Sequence, residues 1–214
     1  MFEYTFLDQQ LHQLSQVIAK ANRTFIPALE DDSHTNLAFD SLGKRILGRW
    51  INSESGKIML TYQLTSQNFE WVDENYHIQL SVSSIGKTVS EIESEISYKL
   101  QDLNLDDSNF KDPMHYDIPE YSFKGQKIEP FSENQLNSWM HYRLIANEAC
   151  HALLGHLAVN AEIRIWPHHF DTGLYVNVNS KLGIGFGLAM EDQMAGAPYF
   201  YMAGYGLQNQ ISKS

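Results

Sequence analysis

Apolar residues recur every three or four positions in three segments of the chain, which is the spacing of an amphipathic α-helix. These segments are residues 8–22, 88–103 and 132 to about 159. Asp8 is expected to cap the first helix by accepting hydrogen bonds from its free backbone N–H groups. The segment Ser132-Glu133-Asn134-Gln135 fits a capping box at the start of the third helix. The pattern therefore predicts three main helices.

Alternating apolar and polar residues predict β-strands between the first two helices and again after the third. The predicted strands of the first group are residues 46–51, 57–64, 69–72 and 76–82, with a turn at 73–75. Residues 162–206 predict a C-terminal β-meander that contains a glycine-rich strand and a tyrosine-rich strand. Residues 106–130 have little periodicity, so we expect a long irregular connection that either covers a pocket or packs on the sheet.

The order of these elements predicts an α+β fold, with a mainly antiparallel sheet on which about three helices pack. The length of 214 residues suits a single domain, residues 1–214. Residues 207–214 have no apolar pattern of this kind and are predicted to form a loose tail.

The composition narrows the classes of partner and compartment. The formal net charge of −11 disfavours nucleic acid, because an acidic surface repels the phosphate backbone. Cys150 is the only cysteine, so the chain cannot form an internal disulfide, which suits a reducing cytoplasm. No apolar run approaches the roughly 18 residues that span a bilayer. We therefore expect a soluble cytoplasmic protein without a membrane or nucleic-acid partner.

A change of strand parity marks the segment Trp166-Pro167-His168-His169-Phe170-Asp171, which we call the WPHHFD segment. Core-facing apolar residues occupy odd positions before it and even positions after it. Because a one-residue shift turns every side chain to the other face, a β-bulge or a short turn must absorb the change. In an extended backbone His169 and Asp171 would share a face, and His168 would oppose them.

A His-x-Asp pair leaves three interpretations open. In catalysis, Asp171 orients the imidazole of His169, which then acts as a base. In a metal site, both side chains bind a divalent ion. In a purely structural role, Asp171 accepts a hydrogen bond from an imidazole N–H and fixes the irregular backbone.

Four other residues are candidate metal ligands beside the WPHHFD segment. Glu148 and His151 have the i, i+3 spacing of helical metal sites, or they form a hydrogen-bonded pair at the helix–sheet boundary. Glu191 and Asp192 end the glycine-rich strand and could add carboxylates, or could form a solvated turn. The full predicted set for a divalent metal is His168, His169, Asp171, Glu148, His151, Glu191 and Asp192. His156 is predicted to be a core histidine.

One face of the glycine-rich strand carries only glycine and alanine, which indicates close approach by another element. We expect the small residues of the third helix, from Ala146 to Gly155, to pack against this bare face. That packing would bring Glu148 and His151 near the WPHHFD segment. Side chains predicted to bind a ligand there are Trp166, His168, Tyr199 and Tyr201.

The WPHHFD segment, followed by a glycine-rich strand and Pro198-Tyr199-Phe200-Tyr201, resembles an uncharacterised family of bacterial proteins of unknown function. The order of the earlier elements is similar too, so the resemblance extends over most of the chain, although its specific motifs are C-terminal. Residues 188–192 depart from the family pattern, in which a more polar Gly-Asp turn is expected. The resemblance implies where the site lies and implies no known activity.

These observations predict a protein that binds a small molecule. The more specific prediction is a metal-dependent enzyme that uses His168, His169 and Asp171. One alternative is a non-catalytic module in which the WPHHFD segment is structural and the sheet edge or tyrosine face binds another subunit. Light scattering of the purified protein distinguishes such a homo-oligomer from a monomer. A third hypothesis is a metal-free hydrolase or isomerase with His169 as its base and Asp171 orienting it.

Overall fold

A computed structural model describes residues 2–54 and 56–206. In these ranges the chain forms three α-helices, namely α1 Phe2–Phe25, α2 Val89–Lys99 and α3 Glu133–Leu157, with short 3₁₀ helices at Ser33–Thr35 and Leu100–Leu103. The strands are β1 Ala38–Asp40, β2 Arg45–Leu47, β3 Ile51–Ser53, β4 Gly56–Gln63, β5 Asn68–Asp73, β6 Ile78–Ser83, β7 Arg164–Ile165, β8 Thr172–Asn177, β9 Leu182–Ala189 and β10 Tyr199–Gly206. The predicted tail, residues 207–214, lies outside the described residues. None of the helices in the described ranges combines the length and apolarity needed to cross a bilayer.

The three predicted helices are confirmed, with changes at their ends. The prediction for Asp8 is wrong, because α1 begins six residues earlier and places Asp8 inside the helix, where it is buried. Ser132 caps α3 as predicted, and its hydroxyl accepts a hydrogen bond from the backbone N–H of Gln135. Thr88 caps α2 in the same way, and the last turn of that predicted helix is 3₁₀. Local spacing therefore locates these helices well.

The strands form two antiparallel sheets in the described ranges. The N-terminal sheet has the order β1-β2-β4-β5-β6, with β3 also paired to β4, and the C-terminal sheet has the order β10-β9-β8-β7. Leu37 and Ile165 join the two sheets through a pair of backbone hydrogen bonds with N···O distances of 2.9 and 2.7 Å. The α+β class, the mainly antiparallel pairing and the C-terminal meander are thus confirmed.

The predicted strand at residues 46–51 is divided into β2 and β3, because α1 approaches the backbone between them. A Cβ atom on Gly48 would lie 2.8 Å from Ile18 Cγ2, Asn22 Oδ1 and the backbone oxygen of Leu60. The Asn22 side chain also accepts a hydrogen bond from the backbone N–H of Arg49 at 2.9 Å. The N–H of Gly48 still donates to the Leu60 carbonyl oxygen at 3.0 Å, so the side chain of Asn22 takes the place of a strand partner only at Arg49.

The third helix packs on the face of the C-terminal sheet opposite to the one predicted. Cys150 and Leu154 of α3 pack with Leu174 and Val176 of β8 and with the large apolar side chains of β9. The bare glycine face of β9 points the other way and is covered by rings. A Cβ on Gly183 would lie 2.1 Å from the Tyr175 hydroxyl, and one on Gly185 would lie 3.1 Å from Tyr205 Cε2. The prediction that the small residues of α3 pack on this face is therefore wrong.

Gly173 and Gly187 allow β8 and β9 to approach closely where the C-terminal sheet starts. A Cβ on Gly173 would lie 2.4 Å from the backbone oxygen of Phe186 and 2.9 Å from Gly187 Cα. Because these are backbone atoms, the strands must separate to accept a methyl group. We expect Gly173→Ala to lower the free energy of unfolding by about 1–3 kcal/mol, measured by urea denaturation.

Gly155→Ala is the matched control for this substitution. Gly155 lies inside α3, and a Cβ added there meets no atom within 4 Å. Alanine favours a helix interior over glycine by about 1 kcal/mol, so this variant should be more stable than the wild type. Two variants that shift stability in the same direction would contradict the close approach of β8 and β9.

Candidate functional site

A tight turn between β7 and β8 contains the WPHHFD segment and absorbs the parity change. The backbone N–H of Phe170 donates to the carbonyl oxygen of Trp166 at 2.6 Å. The backbone N–H of Trp166 donates to the carbonyl oxygen of Asp171 at 3.2 Å. Phe170 adopts a positive φ of 57°, which reverses the chain. The predicted short turn is thus confirmed, but the predicted opposition of His168 to His169 and Asp171 is wrong, because all three line one cavity.

Helix α1 holds the turn through the carbonyl oxygen of Pro167. This oxygen accepts a hydrogen bond from His12 Nε2 at 2.9 Å and another from Gln16 Nε2 at 2.7 Å. The His12 ring also stacks on Phe170, with ring centroids 5.1 Å apart and planes 8° from parallel. The first helix, far away in sequence, therefore sets the position of the histidine segment.

Buried charges of α1 and α3 hold the other side of the turn. Arg143 donates to Asp8 Oδ1 at 2.7 Å, to the Phe170 carbonyl oxygen at 2.8 Å and to Thr172 Oγ1 at 2.8 Å. Trp139 Nε1 also donates to Asp8 Oδ1 at 2.7 Å. Both charged side chains are almost fully buried. Burial opposes the charge of Arg143, but the neighbouring Asp8 carboxylate raises its pKa, so the guanidinium stays protonated.

His12 is neutral, and its tautomer follows from its partners. A carbonyl oxygen only accepts, so Nε2 carries the proton that is donated to Pro167, and Nδ1 accepts from the Tyr121 hydroxyl at 2.6 Å. Burial lowers the pKa of His12 to about 4. His12 thus links the turn to residues 106–130 through one uncharged ring.

A large cavity opens beside this turn, on the glycine face of the C-terminal sheet. Its volume is about 1190 Å³, which is somewhat above the range of about 300–1,000 Å³ for small-molecule sites. Residues 106–130 cover it with Tyr116 and Tyr121, while Phe110 and Ile128 of the same segment pack into the core. The segment therefore both covers the cavity and packs on the rest of the protein, which are the two roles expected for it. Among the described residues, the tyrosines that line the cavity are Tyr116, Tyr121, Tyr175, Tyr199, Tyr201 and Tyr205.

Asp171 lies within the cavity lining and is hydrogen-bonded to a tyrosine. Its side chain is buried, and the hydroxyl of Tyr201 donates to Oδ2 in a short hydrogen bond. Burial raises the pKa of Asp171 even though the Tyr201 hydrogen bond acts in the opposite direction. Burial and the nearby Asp171 charge also raise the pKa of Tyr201, so the tyrosine remains protonated. A buried carboxyl group with a raised pKa is a common feature of functional sites.

His168 and His169 lie together at the side of the cavity. Their ring centroids are 4.4 Å apart, and His168 also lies 5.6 Å from the ring of Tyr116. His168 is half-buried, and burial followed by the neighbouring His169 lowers its pKa. The described hydrogen bonds join Asp171 to Tyr201 and include none between Asp171 and His169. The geometry therefore pairs Asp171 with a tyrosine instead of the predicted histidine.

The carboxylates after β9 also reach the cavity. Glu191 accepts a hydrogen bond from the Thr5 hydroxyl at 2.6 Å, and Asp192 accepts one from Tyr199 at 2.7 Å. Both residues line the cavity together with Trp166 of the WPHHFD segment.

Glu148 and His151 do not join this group, contrary to the predicted composite site. Both are exposed on α3, which packs on the opposite face of the C-terminal sheet. His156 is exposed too, so its predicted place in the core is wrong. Within residues 2–54 and 56–206, no three His, Cys, Asp or Glu side chains converge in a way that could hold a metal ion. The seven predicted ligands therefore do not come together as one group in the described residues, and metal binding stays a prediction.

Sequence reasoning missed several cavity residues. His12, Asn36, Tyr116 and Tyr121 line the cavity, yet they lie in or near segments interpreted as an ordinary helix or loop. No periodic signal was available for His12, because it lies on the other side of the first helix from the apolar residues Leu11, Leu14, Ile18 and Ala21.

Comparisons of this chain with protein-family models, with curated proteins and with solved structures find no match. The resemblance noted from the WPHHFD segment therefore stays a prediction.

Proposed function

We propose that this protein binds a small organic molecule in the cavity beside the WPHHFD turn. The observation that carries the proposal is a cavity of about 1190 Å³ on whose wall a buried carboxyl group, paired tyrosines and two histidines converge. Such a concave site with a few polar groups and a perturbed carboxyl is typical of ligand-binding and catalytic sites.

Asp171 with Tyr201 is the centre for acid–base chemistry on a bound ligand in this proposal. The Asp171 carboxyl has a raised pKa and a hydroxyl donor, so it can take up a ligand proton and return it. His169 is exposed at the same wall and would contact the ligand directly, without being oriented by Asp171. This proposal keeps the predicted catalytic pair His169 and Asp171 but changes how they cooperate. The cytoplasmic location predicted from the composition suits such a ligand-binding role.

The alternative of an oligomerising module assigned the tyrosine-rich strand to a subunit interface. Tyr199 and Tyr201 instead line the cavity and bond Asp192 and Asp171. Their engagement inside the molecule favours the small-molecule proposal.

The experiment is a fragment screen by NMR with ¹³C-labelled tyrosine. We expect binding fragments to shift the ring signals of Tyr175 and Tyr201, which line the cavity, and to leave Tyr98 unmoved. Tyr98 is 73% exposed on α2 and does not line the cavity, so it reports nonspecific effects. Some fragments are expected to shift the ring signals of Tyr201. Asp171→Asn should lower the affinity of these fragments by about 10-fold, which is the effect of losing one charge-assisted hydrogen bond.

The control variant is Asp117→Asn, an exposed carboxyl of the covering segment that is absent from the cavity lining. Its fragment affinities should equal those of the wild type. A screen in which shifts at Tyr98 match those at Tyr175 and Tyr201, or in which no fragment shifts the cavity tyrosines, would refute the proposal.

A further inference from the structure

The charges around the cavity are predominantly negative. Among the described residues, its lining contains the carboxyl groups of Asp31, Asp32, Asp171, Glu191 and Asp192 and a single guanidinium, that of Arg164. Arg164 is itself paired with Glu162, which is not part of the lining, at an N···O distance of 3.1 Å. A cleft lined by one sign of charge concentrates ions of the opposite sign and repels like charges. Phosphates and carboxylates are therefore poor ligands.

Aromatic faces lie beside these carboxylates. The bare glycine face of β9 lets Tyr175 and Tyr205 lie close to the sheet, with their ring centroids 5.6 Å apart. Trp166 and the other tyrosines add further rings to the lining. The face of such a ring attracts an organic cation that has been stripped of water, whereas it offers no ligand atoms to a metal ion.

We propose that the ligand of this cavity is an organic cation that carries an amine or quaternary ammonium group. The carboxylates attract the charge, and the tyrosine and tryptophan faces contact the ammonium group. This inference rests on the proposed small-molecule function and narrows it to one chemical class.

The test compares three probes of nearly identical shape. Choline carries the cation and a hydroxyl, 3,3-dimethylbutan-1-ol replaces the nitrogen with carbon, and 3,3-dimethylbutanoate carries a negative charge. We expect choline to shift the signals of Tyr175 and Tyr205 with an affinity about 3- to 30-fold higher than the neutral alcohol. The anion should bind more weakly than either. Raising the ionic strength from about 0.02 M to 0.5 M should lower the affinity for choline and leave the affinity for the alcohol unchanged.

The variant Asp31→Asn/Asp32→Asn removes two charges while keeping the shape of the side chains, and it also weakens the ion pair of Asp32 with His115 at 3.0 Å. Asparagine preserves the acceptor that Asp31 Oδ1 offers to the Ser33 N–H, and it tolerates the positive φ of Asp32. Choline affinity should fall at least about threefold and the affinity of the neutral alcohol should not change. The control is Asp102→Asn, which removes an exposed carboxylate outside the cavity lining and should leave both affinities as they are.

Equal or tighter binding of the neutral alcohol would overturn the cation inference and leave the small-molecule function intact. An absence of choline-induced shifts at the cavity tyrosines would also overturn it. The fragment screen then decides separately whether the cavity binds any small molecule at all.

Discussion

Arg143→Ala is expected to lower the free energy of unfolding by about 3–5 kcal/mol, because it leaves the Asp8 carboxylate buried without its partner. It also removes the donors to the Phe170 carbonyl oxygen and to Thr172, which fix the end of the WPHHFD turn. Urea denaturation followed by circular dichroism measures the change. The loss should exceed that of any exposed ion pair in the protein.

Lys124→Ala is the control, since Lys124 forms an exposed ion pair with Glu120. Its removal should cost no more than about 1 kcal/mol. In the double variant Asp8→Ala/Arg143→Ala the loss should be smaller than the sum of the two single losses, because the second change removes a charge that the first had left unpaired. Equal losses for Arg143→Ala and Lys124→Ala would contradict a stabilising role for the buried pair.

Acidification is expected to destabilise the protein through His12. The folded protein holds the pKa of His12 at about 4, whereas an unfolded chain has a histidine pKa of about 6.5. Between these values the unfolded state binds more protons, so stability is complete above about pH 6.5 and falls as the pH approaches 4. At pH 4.5 the loss from this one group is about 2–3 kcal/mol relative to pH 7.

His12→Gln isolates this contribution, because glutamine does not titrate and can still donate to the Pro167 carbonyl oxygen. The difference in unfolding free energy between pH 7 and pH 4.5 should be smaller in this variant than in the wild type by about 2–3 kcal/mol. His77→Gln, at an exposed position, should retain the wild-type difference. If both variants keep the full pH dependence, His12 is not the buried neutral histidine described above.

The elements of this fold follow from local sequence patterns to a large extent. Ser132 and Gln135 form the capping box that their spacing indicates, because that interaction involves neighbouring residues only. Asp8 shows the limit of such reasoning. A carboxylate near a helix start usually caps the helix, but here Arg143 and Trp139 offer stronger partners, and both lie far away in sequence.

The site was predictable in part for the same reason. The parity change identified the WPHHFD turn, since strand alternation is a local property. Which element covers the bare glycine face is a tertiary question, because a helix of small residues and a set of tyrosine rings both fit a surface without side chains. The rings of Tyr175 and Tyr205 occupy it, and α3 takes the apolar face. The partners of His12 at Pro167 and Tyr121 were equally invisible to a periodic pattern.

Most main-chain carbonyl oxygens of the WPHHFD turn already accept hydrogen bonds within the protein. The carbonyl oxygens of Trp166, Pro167, Phe170 and Asp171 already accept hydrogen bonds from the turn itself or from side chains of α1 and α3. For the proposed ligand-binding function, selectivity at this wall therefore comes from side chains, which can be exchanged without rebuilding the backbone. Under that proposal, point substitutions at exposed cavity positions such as Glu191 or Tyr205 change the ligand on an unchanged scaffold, which makes the site readily adaptable in evolution.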